Sequence, residues 1–369
     1  MRVLVLASAP YNTSGPRYRI EQWARHLEPA GFQFTFAPFE SEALHDVIYQ
    51  PGRYVRKAML TLEACVRRFH AIALARDFDV VLIFREAMLV GPALIERLLA
   101  RAGLPIVFDF DDAIWIPYRS PSNARWSYLK CFGKAATICR LSSRVIVGNQ
   151  YLAAYARRFN ANVVVVPSTI DTEAYAPRRS SGDEDNHLVT IGWTGSHSTV
   201  QHLDTLRPAL ARLRQRCEFR LHVIGAPSYA LDGVDTVAQP WRAESEARDL
   251  HCFDIGIMPL PDGDWNRGKC GMKLLQYMGA GVPAVGSPVG MNAEIVRDGV
   301  NGFLASSEDE WVEKLSALVR DRRLRRSLGQ AGRQTVEERY STRVWAPKVG
   351  EIFESAAASP SPRRRAASA

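Results

Sequence analysis

Residues Arg267–Pro283 read RGKCGMKLLQYMGAGVP, a cation-rich, glycine-bearing loop that runs straight into an apolar helix. A helix N-terminus carries unpaired N–H groups and about half a positive charge, so Arg267, Lys269 and Lys273 are unfavourable there unless an anion is present. The pattern points to a bound phosphate; solvated loop charges beside turn-making glycines are the plainer alternative. The flanks settle the setting. FDIGIMP lies upstream and PAVGS downstream, both short apolar runs, so the stretch joins two buried strands. That is one repeat of a parallel sheet covered by helices, with the cations at the carboxyl end of a strand.

The same alternation extends through the chain. RVLVLAS, FQFTFAPF, DVVLIF, PIVFDF, RVIVGN and NVVVVPS read as strands, with helices between most of them. The first of these helices places Ile20, Trp23, Ala24 and Leu27 at helical spacing before Gly31 ends it. The pattern stops after Pro167 in a polar segment, STIDTEAYAPRRSSGDEDNH, and restarts with LVTIGW, a helix carrying Leu203, Leu206, Leu210 and Leu213, then FRLHVIG. Pro208 should kink that helix or mark its first turn. The expected organisation is an α/β domain over 1–167, a linker over 168–187, a second α/β domain over 188–340, a helix over 341–357 returning to the first domain, and a disordered tail over 358–369.

With 369 residues, 47% of them hydrophobic and 23% charged, the chain suits two ordinary globular domains. The net charge of +8 favours anionic partners, but part of it lies in the tail SPSPRRRAASA, so nucleic acid is not implied. Cys65, Cys131, Cys139, Cys217, Cys252 and Cys270 are scattered, without zinc spacing, which suggests a reducing cytoplasm. The opening MRVLVLASAP is read as a buried strand rather than a signal peptide, and no apolar run reaches the roughly 18 residues of a membrane span. Membrane association would therefore be peripheral. Gly52–Arg76 interleaves Arg53, Arg56, Lys57, Arg67 and Arg68 with Tyr54, Met59, Leu62 and Phe69. It could lie on an anionic inner membrane face; an amphipathic helix with a core face and a solvated face is the preferred reading.

Five strand-to-helix loops carry the candidate chemistry. SAPYNTSGPRYRI brings Gly15 to a helix start with Arg19 following, where an anion site and a plain capped turn compete. FDFDDAIW clusters Asp109, Asp111 and Asp112, whose mutual repulsion calls for hydration, a capped helix, a cation or substrate hydroxyls; a metal would lack further ligands nearby. IGWTGSHST sets Gly192, Gly195 and Ser196 where backbone could approach a phosphate, with His197 read as a loop histidine. RGKCGMK and SPVGMNAEI, the latter with Asn292 and Glu294, complete the set. Several such loops in one domain make a diphosphate the economical ligand.

These residues resemble the family 4 glycosyltransferases of the GT-B fold, two Rossmann-like domains with a nucleotide-sugar between them. The likeness is strongest from Gly192 to Tyr340, above all in KLLQYMGAGVPAVGSPVGMNAEIVRDGVNGFLA, and weaker through SGPRYRI, FDFDDAIW, VGNQYL and PSTIDTEAY. The family pattern K-x-x-E-Y-M-A-x-G-x-P falls on Lys273, Gln276, Tyr277, Met278, Gly279, Gly281 and Pro283. By resemblance, Lys273 meets the donor diphosphate and Gln276 stands where an acid holds the ribose. A second family acid would fall on Gly268, and the family's His-Asp pair falls on Asp111 and Asp112. The Arg and Lys that often follow the first strand of the family's second domain are absent from GWTGSHST, so the diphosphate charge is expected to be met by Arg267, Lys269 and Lys273 with the helix N-termini.

The resemblance implies a retaining, metal-independent glycosyltransferase of polysaccharide biosynthesis. It would need no cofactor beyond its nucleotide-sugar co-substrate and would transfer to a glycan or lipid-linked acceptor hydroxyl. The expected catalytic residues are Asp111 and Asp112. The expected donor set is Gly15, Arg19, Gly192, Gly195, Ser196, Arg267, Lys269, Lys273, Gln276, Asn292 and Glu294. A non-catalytic sugar-nucleotide or glycan binding protein and a nucleotide-sugar 2-epimerase are the alternatives.

Overall fold

A computed structural model describes residues 1–117, 129–177, 188–196 and 199–358. Linker residues 178–187, tail residues 359–369 and His197 lie outside the described residues. The chain divides into two compact units, one of Met1–Ser168 with Trp345 onward and one of Thr169–Val344.

Unit 1 holds β1 (Arg2–Ala7), β2 (Gln33–Pro38), β3 (Val80–Phe84), β4 (Ile106–Phe110), β5 (Arg144–Val147) and β6 (Val163–Val165). Among the described residues they form one parallel sheet in the order β2-β1-β3-β4-β5-β6. β1, β3 and β4 are buried almost throughout, which is why they read as continuous apolar runs. Helix Thr342–Ala357 supplies Ala346, Val349, Phe353 and Ala356 to the core under this sheet, beside Trp23, Leu27 and Phe32.

Unit 2 repeats the plan with β7 (Thr190–Thr194), β8 (Arg220–Ile224), β9 (Asp235–Gln239), β10 (Ile255–Met258), β11 (Ala284–Gly286) and β12 (Phe303–Leu304), parallel in the order β12-β11-β10-β7-β8-β9. The α/β reading holds. β9 and β12 escape a sequence reading because both are edge strands, one of polar composition and one of two residues. The Leu203–Leu213 helix is two helices, Val200–Asp204 and Arg207–Arg214, with Pro208 in the first turn of the second, where a missing N–H costs nothing.

In both sheets the chain steps outward in opposite directions from the first strand, at β1/β3 in unit 1 and β7/β10 in unit 2. Such switch points leave a crevice at the carboxyl ends of the strands. Two packing features set them up. In unit 1 a π-helical turn, Arg17–Glu21, inside the helical run from Ser14 to Leu27 turns Arg19 inward. In unit 2 Gly192 leaves room for the Phe253 ring: a Cβ there would stand 2.0 Å from it. Arg333 holds the start of unit 2 in place, donating to the carbonyls of Thr172, Tyr175 and Gly279.

Helix Tyr54–Leu74 departs from the preferred reading. Its inward residues are Lys57, Ala64 and Arg68, while Tyr54, Met59, Leu62 and Phe69 face solvent. The inward cations are held by backbone carbonyls, Lys57 by Gln50 at 2.5 Å and Arg68 by Ala37 at 2.6 Å and Ala7 at 2.9 Å.

Two stability outcomes follow from this packing. Arg19→Ala leaves the buried Asp109 carboxylate without its partner and should cost about 3–5 kcal/mol in chemical denaturation; a loss below about 1 kcal/mol would show that the pair does not organise unit 1. Gly192→Ala should cost about 1–3 kcal/mol by overpacking. Adding Phe253→Ala to it should cost less than the sum of the two single changes, because the clash is with that ring.

Candidate active site

At the β1/β3 switch point, Arg85 follows β3 directly and has a left-handed backbone, φ 61°, uncommon for a residue with a side chain. Its N–H donates to the Asp109 carbonyl at 2.7 Å, which fixes the turn against β4. Its guanidinium then reaches both carboxylates beyond β4, Asp111 at 2.7 Å and Asp112 at 2.9 Å. Partial desolvation works against the charge of Arg85, and the two carboxylates outweigh it, so its pKa is raised. Gly15 adjoins the same group: a Cβ on it would lie 3.0 Å from the Phe84 ring and 3.7 Å from the Arg85 guanidinium carbon. Gly15, Asp111 and Asp112 are therefore brought together around a cation that sequence reading missed. The signal was available, because the Arg of IFREA follows an apolar strand as the other candidates do.

Asp109 does not join them. It is buried inside β4, where burial pushes its pKa up to about 6 against the pull of Arg19, so the pair is ionised at neutral pH. Arg19 donates to both its oxygens, at 3.1 and 2.5 Å, and to the Val166 carbonyl at 2.6 Å. This corrects the expected donor contact of Arg19: the side chain is buried in the unit 1 interior and its guanidinium bonds protein groups there.

At the β7/β10 switch point, Lys273 occupies the first turn of helix Met272–Gly279, with its ammonium 5.3 Å from the centre of the Trp193 ring. Lys269 lies over Trp265 at 5.3 Å. Burial first, then the charges of Lys273 and Lys269, hold His202 below its usual range, so both lysines act on one small region. Gly195 and Ser196 lie just beyond β7, where Gly195 donates its N–H to Ile224 and Ser196 its N–H to the Thr199 hydroxyl. Gly225 is needed beside them, since a Cβ there would fall 1.8 Å from the Gly195 carbonyl oxygen.

The cation cluster is not uniform. Arg267 is clamped by Asp262 through two 2.8 Å hydrogen bonds, with Asp264 at 3.6 Å, so much of its charge is met by its own loop. Gly192, expected to admit a ligand, has its close approach to Phe253 instead, which is a correction on packing grounds. Asn292 is buried, donates to the Ser287 carbonyl and sits beside Gly271, whose φ of 68° opens the Lys273 helix. Glu294 is exposed.

Gln276 is buried and has gained a carboxylate from elsewhere. Its amide donates to Glu246 at 3.0 Å and to the Tyr175 hydroxyl at 3.3 Å; Glu246 also accepts from Tyr175 at 2.7 Å and from the Trp241 ring N–H at 2.8 Å. No spacing in the sequence announces Glu246, which arrives on a separate short helix, Glu246–Asp249. Tyr277 joins the two central strands: its oxygen accepts from the Thr194 N–H at 3.0 Å and donates to the Ile257 carbonyl at 3.4 Å.

Residues 188–321, which contain this lysine-bearing switch point, match the family described as glycosyl transferases group 1. Over 93% of its length and 71% of the relative's, the chain is 25% identical to sulfoquinovosyl transferase SQD2 of Arabidopsis thaliana. Sucrose-phosphate synthase of Thermosynechococcus elongatus shares the fold with a TM-score of 0.68 at 15% identity, covering 96% of this chain and 98% of that one. HepE of Anabaena, solved in complex with UDP and glucose, gives 0.69 at 15% identity, covering 96% and 100%. The α/β fold of two six-stranded parallel sheets is thus the GT-B fold of these enzymes. Residues 188–321 match the group 1 glycosyl transferases, and the chain that carries them is a glycosyltransferase.

Proposed function

We propose that the chain moves a sugar, with retention and without a metal ion, from a nucleoside diphosphate sugar to a hydroxyl of a glycan or lipid-linked acceptor. The observation that carries this reading is Lys273 in the first turn of helix Met272–Gly279 after β10, its ammonium 5.3 Å from the Trp193 ring of β7, within the family-matched span. HepE in complex with UDP and glucose supports the donor class by analogy. In the step itself the bond from the anomeric carbon to the diphosphate oxygen breaks and that oxygen keeps the electron pair. The acceptor oxygen bonds the same face of the carbon, and its proton passes to the departing diphosphate. Lys273 and Lys269 stabilise the charge that develops there. Gln276, with Glu246 fixing its amide, takes the nucleotide ribose.

In unit 1, Asp111 and Asp112 accept hydroxyl hydrogen bonds from the sugar or the acceptor. Arg85 lies between them, pairing with Asp111 at 2.7 Å and Asp112 at 2.9 Å. That cation occupies an oxygen of each carboxylate and offsets one of their two negative charges, which supports the metal-independent form of the reaction.

Lys273→Ala should weaken binding of the cognate nucleoside diphosphate by about 1.5–3 kcal/mol, the worth of a charge-assisted hydrogen bond, with the fold intact. Calorimetric titration reads this, and an unchanged affinity would transfer the phosphate contact to Lys269. A panel of nucleotide-sugars should reveal one donor from which nucleoside diphosphate is released in EDTA. Asp111→Asn should lower that release about 10²-fold or more while changing donor affinity little. Release that requires added divalent metal, or a free sugar product with altered ring stereochemistry, would reject the proposed reaction.

A further inference from the structure

Helix Tyr54–Leu74 packs Leu60, Ala64 and Cys65 against the cluster of Phe39, Leu44 and Leu89 and carries a second apolar row outward. Val55, Met59, Leu62, Val66 and Phe69 recur at alternating spacings of four and three, which places them along one line of the helix. Their exposure runs from 45% at Phe69 to 75% at Val55, and Tyr54 and Leu74 extend the exposed apolar surface at the two ends. A continuous row of large apolar side chains in water is unfavourable and marks a surface that meets something else. The helix cannot hide the row by rolling. Lys57 and Arg68 on its opposite side are buried and bonded to carbonyls of Gln50, Ala37 and Ala7, and turning them out would break those bonds.

The charges around the row select the occupant. Arg53, Arg56, His70 and Arg76 are exposed beside it, and Glu63, the one acidic residue of the helix, is held by Arg67 at 2.6 Å. A second copy of the chain laid against the row would bring the same cations onto themselves. An anionic lipid surface meets both features, taking the apolar row between acyl chains and the arginines among the headgroups. Among the described residues no helix is long and apolar enough to cross a membrane, so the contact would lie in the membrane plane. We propose that this face of unit 1 docks the protein on anionic phospholipid bilayers, inserting Met59, Leu62 and Val66. The inference stands apart from the proposed reaction and needs no donor or acceptor to test.

The full chain is floated with vesicles of phosphatidylcholine alone and of phosphatidylcholine mixed with phosphatidylglycerol. Binding is expected only with phosphatidylglycerol present, and should fall as salt is raised. The Met59→Ser, Leu62→Ser double variant should reduce partition by about tenfold or more, and Arg53→Glu with Arg56→Glu should also reduce it. Val237→Ser, at an exposed apolar position on β9 in the other unit, should leave it unchanged. All these positions are exposed, and circular dichroism with thermal melting checks that each variant is folded. No binding to either vesicle, or equal binding by the double variant and the parent, overturns the proposal. A dimer in light scattering that the double variant dissociates, with no vesicle binding by either, would assign the row to self-association and overturn it as well.

Discussion

Arg19 and Asp109 form a fully buried charge pair, and unit 1 is arranged around it. Neither charge is tolerable alone at that depth, so the helix following β1, the centre of β4 and the chain leaving β6 at Val166 must all stay within hydrogen-bonding distance of one guanidinium. The π-helical turn that aims Arg19 inward is the local distortion this demands. The pair also divides the acidic cluster. With Asp109 committed inside the sheet, Asp111 and Asp112 are left at the strand end, where Arg85 rather than Arg19 balances them.

Unit 2 reaches a comparable arrangement with neutral groups and close backbone. Glycines at 192, 225, 256 and 271 admit Phe253, the Gly195 carbonyl, Tyr277 and Ile295, each nearer than a Cβ would allow. The Tyr277 hydroxyl then joins β7 to β10 at the point where the strand order reverses. Gln276, one residue earlier on the same helix, engages Glu246 and Tyr175. A single helix thus fixes the crevice with one side chain, anchors a buried polar cluster with another and offers the ammonium of Lys273 at its first turn.

The strands were legible where they form short apolar runs; β9 and β12 were not, because one is of polar composition and the other has two residues. Candidate loops were legible by position, since the carboxyl ends of parallel strands are where ligands bind. Partnership was not. Nothing local distinguishes Arg19, which pairs inward across 90 residues, from Arg85, which pairs at the rim across 26, and spacing does not show that Arg267 is met by Asp262 while Lys273 leans over Trp193. The Tyr54–Leu74 helix misled for a related reason. Its composition is amphipathic either way, and only the carbonyls that hold Lys57 and Arg68 determine which side faces in.

Arg85 places a restriction on how this sequence can drift. It serves two carboxylates at once from a left-handed backbone position, so it cannot be lost before them: without it, two acidic groups would stand side by side and repel without that counter-charge. Nor can the carboxylates leave first, since a half-desolvated guanidinium would then face the crevice alone. The three positions therefore form one heritable unit, open to change together or through an intermediate in which a ligand's own charge replaces the missing partner. Descendants of this chain that exchange their sugar substrate for an anionic one have such an intermediate ready, with the arginine already in place to receive it.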